Sequence, residues 1–184
     1  MFGKLRFGSD GKRLLQGVLQ PSGATPHGAL ADRKAVCRTP AQPPARVAPV
    51  GRSHTHRMRV RYGECDPQGV VFNAHYFAYF DVALTELWRE VAGSYGAMME
   101  SGVDLQVVEA TARYKAPARF DDEIDVTIEV ARLGTTSMVT TLAIHRADGD
   151  GALLVEGELA HVFVDSKALT KIPIPHDLRA ALEG

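Results

Sequence analysis

The chain has 184 residues, 45% hydrophobic and 23% charged, as is typical of one ordinary globular domain. Its net charge of −1 divides unevenly: residues 1–56 carry nine Lys and Arg against two Asp and Glu, and residues 57–184 carry twelve against twenty, which excludes the basic footprint of a nucleic-acid-binding domain. No run of about 18 apolar residues could span a membrane, and two cysteines, Cys37 and Cys65, are too few for a disulfide framework and fit a reducing, cytoplasmic compartment.

Residues 1–56 have a different composition from the rest of the chain. Six prolines interrupt them, namely Pro21, Pro26, Pro40, Pro43, Pro44 and Pro49. Such a segment buries too little apolar surface to offset its ordering entropy, so we expect a disordered extension or an over-long gene model in which Met58 is the natural start of the protein. The alternative is an organellar transit peptide, because the segment is rich in Arg and poor in acidic residues.

Regular patterns begin at Arg57. Met58, Val60 and Tyr62 alternate with arginines, which predicts a half-buried strand. After a Pro/Gly turn, apolar residues recur every three or four positions and predict one stripe of a long helix that ends near Gly93 and Gly96: Phe77, Phe80, Leu84, Leu87, Trp88 and Val91.

The remaining sequence predicts strands. Period-2 alternation marks residues 108–114, 124–130 and 138–144, and a last strand runs over residues 153–164 after the hairpin signal Asp148-Gly149-Asp150-Gly151. One helix followed by a meander of strands predicts an α+β fold with an antiparallel sheet.

The segment between the first strand and the helix, residues 61–76, carries the chemistry. It places Asp66 in a turn directly before a helix start, where unpaired backbone N–H groups and a partial positive charge are available. A carbonyl oxygen that gains negative charge could lie against those N–H groups, with the Asp66 carboxylate on the other side of the carbon.

This segment resembles the active-site motif of hotdog-fold acyl-CoA thioesterases of the 4-hydroxybenzoyl-CoA thioesterase type. Six positions match that motif in order and spacing: Asp66, Gly69, Val70, Val71, Phe72 and Tyr76. The resemblance covers roughly residues 57–180, up to the closing segment Ile172-Pro173-Ile174-Pro175. It implies that residues 57–184 form a hotdog domain, in which an antiparallel sheet of about five strands wraps around one long central helix.

The resemblance also implies an activity and roles for individual residues. Asp66 is expected to act as general base or nucleophile in hydrolysis of an acyl-CoA, and the backbone N–H of Asn73 as donor to the thioester carbonyl. Asn73 departs from many relatives, which carry His or Tyr there. Gly69 would allow close approach of the backbone, and five further residues would bind substrate: Val70, Val71, Phe72, His75 and Tyr76. The family pairs its subunits, so a homodimer or homotetramer is expected, with no cofactor.

Several alternatives stay open from the sequence. Glu86 on the helix is a rival catalytic carboxylate, and Cys65 is a weaker candidate nucleophile. Three histidines (His54, His56 and His75) lack the acidic or Cys spacing typical of zinc sites, so no metal is expected. Three cations near a strand end could meet CoA phosphates: Arg113, Lys115 and Arg119. At the level of function, an acyl-CoA hydratase or dehydratase and a non-catalytic acyl-binding protein are the alternatives.

Overall fold

The computed structural model describes residues 51–149 and 151–184; the expectations for the first 50 residues lie outside this range. The described residues form five strands and three α-helices, with a single 3-10 turn at Tyr62–Glu64. The strands are β1 (Ser53–Arg59), β2 (Val103–Tyr114), β3 (Glu123–Leu133), β4 (Ser137–Arg146) and β5 (Leu153–Asp165), and the helices are α1 (His75–Ala92), α2 (Tyr95–Glu100) and α3 (His176–Glu183).

The five strands form one antiparallel sheet in the order β1-β3-β4-β5-β2. Strands β3, β4 and β5 are consecutive hairpins in its middle, and β1 and β2 are its two edges. The helix-facing residues of the central strands are fully buried because period-2 alternation sends every second side chain to one face, as Val126, Ile128 and Val130 on β3 show. The expected α+β hotdog architecture is confirmed.

Helix α1 packs its apolar stripe on the sheet. Phe80 lies over Gly157 of β5, and the rings of Trp88 and Phe163 meet edge to face at 6.4 Å. The predicted stripe needs one correction. Tyr79 is 1% exposed and belongs to the stripe, whereas Phe77 is 36% exposed. A tyrosine can join a buried stripe when its hydroxyl has a hydrogen-bond partner inside the fold, and the Tyr79 hydroxyl donates to Glu64.

The first strand lies further towards the N-terminus than the sequence pattern indicates. Strand β1 begins at Ser53, before the expected boundary at residue 57, and its pairing with β3 ends at Arg59. Tyr62 is therefore not a strand residue, and it is 81% exposed. His54, expected outside the domain, lies on β1 with its Nδ1 2.6 Å from the Glu90 carboxylate of α1. Strand β2 likewise begins earlier than predicted, at Val103.

Gly93 ends α1 as predicted, with a φ of 75° that a residue with a Cβ rarely adopts. Gly96, by contrast, lies inside the short helix α2, which the sequence pattern did not predict. Ser94 begins that helix, and its hydroxyl accepts a hydrogen bond from the Ala97 N–H at 2.9 Å.

Candidate active site

The Asp66 turn is closed by its own backbone. The Asp66 N–H donates to the Val70 carbonyl and the Gly69 N–H donates to the Asp66 carbonyl, both at 2.9 Å. The carboxylate Oδ1 of Asp66 accepts the Gln68 N–H at 2.8 Å, which fixes the orientation of the side chain. Gly69 has a φ of 74°, and a Cβ there would meet nothing within 4 Å, so its φ rather than a close contact requires glycine.

Backbone contacts on both sides fix this turn in the fold. Val71 donates its N–H to the Ala118 carbonyl, and Phe72 donates its N–H to the Glu64 carbonyl, both at 2.9 Å. Val71 also bridges to Cys65 in antiparallel fashion. The segment after the turn is therefore held between the 3-10 turn and the β2–β3 connection, and it leads directly into α1.

The start of α1 presents free donors beside this turn. The helix begins at His75, and within residues 51–149 and 151–184 the N–H groups of Asn73 and Ala74 have no hydrogen-bond acceptor. The Asn73 carbonyl, in contrast, accepts the Tyr114 hydroxyl at 3.0 Å. This bond ties the end of β2 to the helix start and leaves the Asn73 N–H available to a ligand.

One cavity of about 390 Å³ joins the turn, the helix start and the end of β2. It is lined by Asp66, Val70, Val71, Phe72, Asn73, Tyr76, Tyr114, Lys115, Ala116 and Pro117. Six of the eight predicted site residues are thus brought together. The other two, Gly69 and His75, do not line it: Gly69 borders a second opening of about 510 Å³ that also reaches Asp66, and His75 packs its ring 6.1 Å from Phe72.

Tyr76 is both a wall of the cavity and a structural anchor. Its hydroxyl accepts the Ala118 N–H at 3.0 Å, and its ring meets those of Tyr79 and Tyr114 edge to face. Burial raises the pKa of the Tyr76 hydroxyl above its ordinary value. A neutral hydroxyl that already accepts a backbone N–H suits a fixed wall better than a proton-transfer group.

Besides the cavity-lining Tyr114, Ala116 and Pro117, two residues next to the site, Glu64 and Tyr79, have no counterpart among the site residues predicted from the sequence. Glu64, with 15% of its side chain exposed, accepts two hydrogen bonds at Oε2, from the Tyr79 hydroxyl at 2.8 Å and from the Arg61 N–H at 2.7 Å. Burial and the bond to Glu64 raise the pKa of Tyr79 far above its ordinary range. Glu64 bonds back to the Arg61 N–H as the last residue of a capping box does, but Arg61 has no side-chain acceptor, so the sequence carries no capping-box signal that could have found Glu64.

The structure separates the rival groups from the cavity. Glu86 lies eleven residues along α1 from His75, about 16 Å at the helical rise, and pairs with Arg89 at 2.5 Å. Cys65 borders only the second opening. Lys115 lines the cavity with its Nζ 3.1 Å from Glu156, whereas Arg113 and Arg119 do not line it.

The described residues show neither a metal site nor a membrane-spanning helix. They contain no group of three or more His, Cys, Asp and Glu side chains placed to hold a metal ion. No helix among them is long and apolar enough to cross a membrane.

Comparisons with known proteins identify the family of this chain. The sequence profile of the thioesterase-like superfamily matches residues 60–182. The acyl-CoA thioester hydrolase YbgC of Escherichia coli is 35% identical over 123 residues, which are 67% of this chain and 90% of that protein. The 4-hydroxybenzoyl-CoA thioesterase of Pseudomonas sp. is 25% identical over 140 residues, 70% of this chain and 96% of that protein.

Among solved structures, a 1,4-dihydroxy-2-naphthoyl-CoA thioesterase from Synechocystis superposes with a TM-score of 0.64. The superposition covers 70% of this chain and 94% of the Synechocystis chain. At 21% sequence identity, this similarity shows that the two proteins share a fold. The profile match spans about two thirds of the chain and includes α1 and four of the five strands, β2 to β5. The chain therefore belongs to the thioesterase-like superfamily.

Proposed function

We propose that this protein hydrolyses the thioester of an acyl-CoA to free CoA and a carboxylic acid, with Asp66 and the Asn73 N–H as its reacting groups. One observation carries the proposal: a single cavity is lined both by Asp66 and by Asn73, which lies just before α1 and whose N–H has no acceptor among the described residues. The names of the relatives support the substrate class, because the E. coli and Pseudomonas proteins both act on CoA thioesters.

The chemistry needs little beyond these two groups. A thiolate leaves readily, so polarisation of the carbonyl is the main requirement, and one preorganised donor contributes roughly 2.7–4 kcal/mol in other enzymes. The Asn73 N–H, together with the partial positive charge of the helix start, would stabilise the oxyanion. The carbon–sulfur bond then breaks and the thiolate takes a proton.

Asp66 is suited to either of two roles. Its Oδ1 is held by the Gln68 N–H, and no described residue donates to Oδ2. That free oxygen can take a proton from water as the water attacks the carbonyl carbon, or it can attack the carbon itself to form an anhydride that water hydrolyses. Both routes end in the same acid and free CoA.

The surroundings suggest where the substrate lies. Val70, Val71 and Phe72 give the cavity an apolar wall beside the reacting groups, suited to the acyl chain. Lys115 also lines the cavity and would meet a CoA phosphate. The enzyme would work in the cytoplasm as a homodimer or homotetramer, without a cofactor.

A panel of acyl-CoAs with a thiol reagent tests the proposal. Hydrolysis releases one free thiol for each acid formed. A hydratase or dehydratase would change the absorbance of an enoyl-CoA without thiol release, and a binding protein would do neither. Absence of thiol release across short, long and aromatic acyl groups would overturn the proposed activity.

A further inference from the structure

We propose that Glu64 and Tyr79 are positioning residues that hold Asp66 in its reactive place. The inference rests on the proposed catalytic role of Asp66. Neither side chain lines the cavity, so neither touches the substrate. Their effect would pass through the short segment Glu64–Asp66, in which only Cys65 separates the partly buried Glu64 carboxylate from that of Asp66.

The hydrogen bonds around Glu64 converge on this segment from three directions. The Tyr79 hydroxyl on α1 and the Arg61 N–H both donate to Oε2, at 2.8 and 2.7 Å. The Glu64 carbonyl accepts the Phe72 N–H at 2.9 Å from the far side of the turn. Glu64 therefore joins the helix to the segments before and after Asp66.

The rest of the 3-10 turn supplies little of this support. Tyr62 is 81% exposed, and a Cβ on Gly63 would meet nothing within 4 Å. Glu64, by contrast, has 15% of its side chain exposed, and Tyr79 is 1% exposed. The contact between Glu64 and Tyr79 is thus a partly buried side-chain attachment of this turn to α1.

The same helix also carries the proposed oxyanion donor at its start. Tyr79 lies one turn beyond His75, so the Tyr79–Glu64 bond would help the backbone contacts to hold the Asp66 turn at its distance from the Asn73 N–H. A misplacement of about 1 Å between reacting groups can lower a rate by about 100-fold. Loss of the bond should therefore lower kcat more than it changes KM.

Three variants separate positioning from general damage. Tyr79→Phe removes one hydroxyl and should lower kcat by about tenfold with KM within about threefold, and Glu64→Ala should lower kcat further. Glu64→Gln keeps an acceptor oxygen for both donors and should recover most of the activity. Tyr95→Phe is the matched control, because Tyr95 also donates to a carboxylate, that of Asp104 at the far end of β2 from the cavity. It should leave kcat unchanged.

The decisive measurement repeats Tyr79→Phe and Glu64→Ala in an Asp66→Asn background. If both residues act through Asp66, neither substitution lowers the remaining activity further. An equal loss in both backgrounds, or wild-type kcat in a folded Tyr79→Phe protein, would overturn the inference. Tyr79→Phe keeps the buried aromatic ring, so this variant can still be measured if Glu64→Ala does not fold. If Asp66→Asn itself is fully active, the proposed function fails; if it is inactive while Tyr79→Phe is unaffected, only this inference fails.

Discussion

His161 is a buried residue whose ionisation should limit stability in acid. It lies on β5 with 1% exposure, and neither ring nitrogen has a hydrogen-bond partner among the described residues. Its cross-strand neighbours, Met138 on β4 and Val107 on β2, are apolar. Burial lowers the pKa of His161 from 6.5 to about 4, so the folded protein keeps the ring neutral at a pH where the unfolded chain protonates it.

The sign of this effect follows from proton uptake. Below pH 6.5 the unfolded chain binds a proton at His161 that the folded protein does not bind. The free energy of unfolding therefore decreases as the pH is lowered, until the folded pKa of about 4 is reached. We predict that the wild-type protein loses about 2 kcal/mol between pH 7 and pH 5 from this residue alone. Urea unfolding of the wild type and of His161→Leu at both pH values measures it. Equal pH dependence in the two proteins would refute the prediction.

At the scale of elements, the contact of α1 with the sheet depends on one glycine. A Cβ on Gly157 would lie 2.4 Å from the Phe80 ring, and Phe80 is fully buried. The helix therefore approaches β5 more closely than any side chain there would allow.

Gly157→Ala should consequently lower the free energy of unfolding by about 1–3 kcal/mol, the usual cost of overpacking a core. Phe80→Leu should recover part of that loss in the double variant, because it removes the clashing ring atoms. Gly63→Ala serves as the control, since its Cβ would meet nothing within 4 Å. Thermal unfolding measures all four proteins. A Gly157→Ala variant as stable as the wild type would show that α1 shifts freely on the sheet.

The sequence predicted what depends on local pattern and left out what depends on contacts between distant segments. The helix and the central strands follow from periodicity, and Asp66 and Asn73 follow from a local motif. Gly157 carries no such signal, because its partner Phe80 lies 77 positions away. Tyr79 and Glu64 were missed for the same reason, since a buried hydroxyl is recognisable only once its acceptor is known. Tyr62 was misassigned because alternation continues past the point where pairing stops.

Strand β1 sets the limit for shortening the chain. Its pairs with β3 run from Ser53 to Arg59, and the Gly51 and Arg52 backbones bond to Val130 and Leu182. We predict that a protein starting at Gly51 keeps kcat/KM within a factor of about three, with an unchanged midpoint of thermal unfolding.

A protein starting at Arg57 should be less stable, because it lacks four of the seven β1 residues and the His54–Glu90 contact. Thermal unfolding and thiol release, measured on both shortened proteins, separate the contribution of residues 51–56 from that of residues 1–50. Loss of activity in the protein starting at Gly51 would show that residues 1–50 contribute to the site.

At the scale of the whole molecule, the sheet has an edge suited to self-association. Strand β2 is an edge strand of 12 residues, and Val107 and Val108 are 56% and 63% exposed on it. Long apolar edges are sites where a second strand adds.

We predict a dimer or a larger homo-oligomer at micromolar concentration, and a shift towards monomer in Val108→Lys, which places a charge at that edge. Light scattering coupled to size exclusion measures both. A stable, active wild-type monomer would contradict the prediction.

The central claim is that Asp66 performs the hydrolysis, and thiol release by Asp66→Asn tests it most directly. The substitution keeps the shape of the side chain and an oxygen for the Gln68 N–H, so the fold should persist, while loss of the carboxylate should lower kcat by about 10²–10⁴-fold. Glu86→Gln, which changes a carboxylate that pairs with Arg89 away from the cavity, should remain close to wild type. Near-wild-type turnover in a folded Asp66→Asn protein would contradict the account.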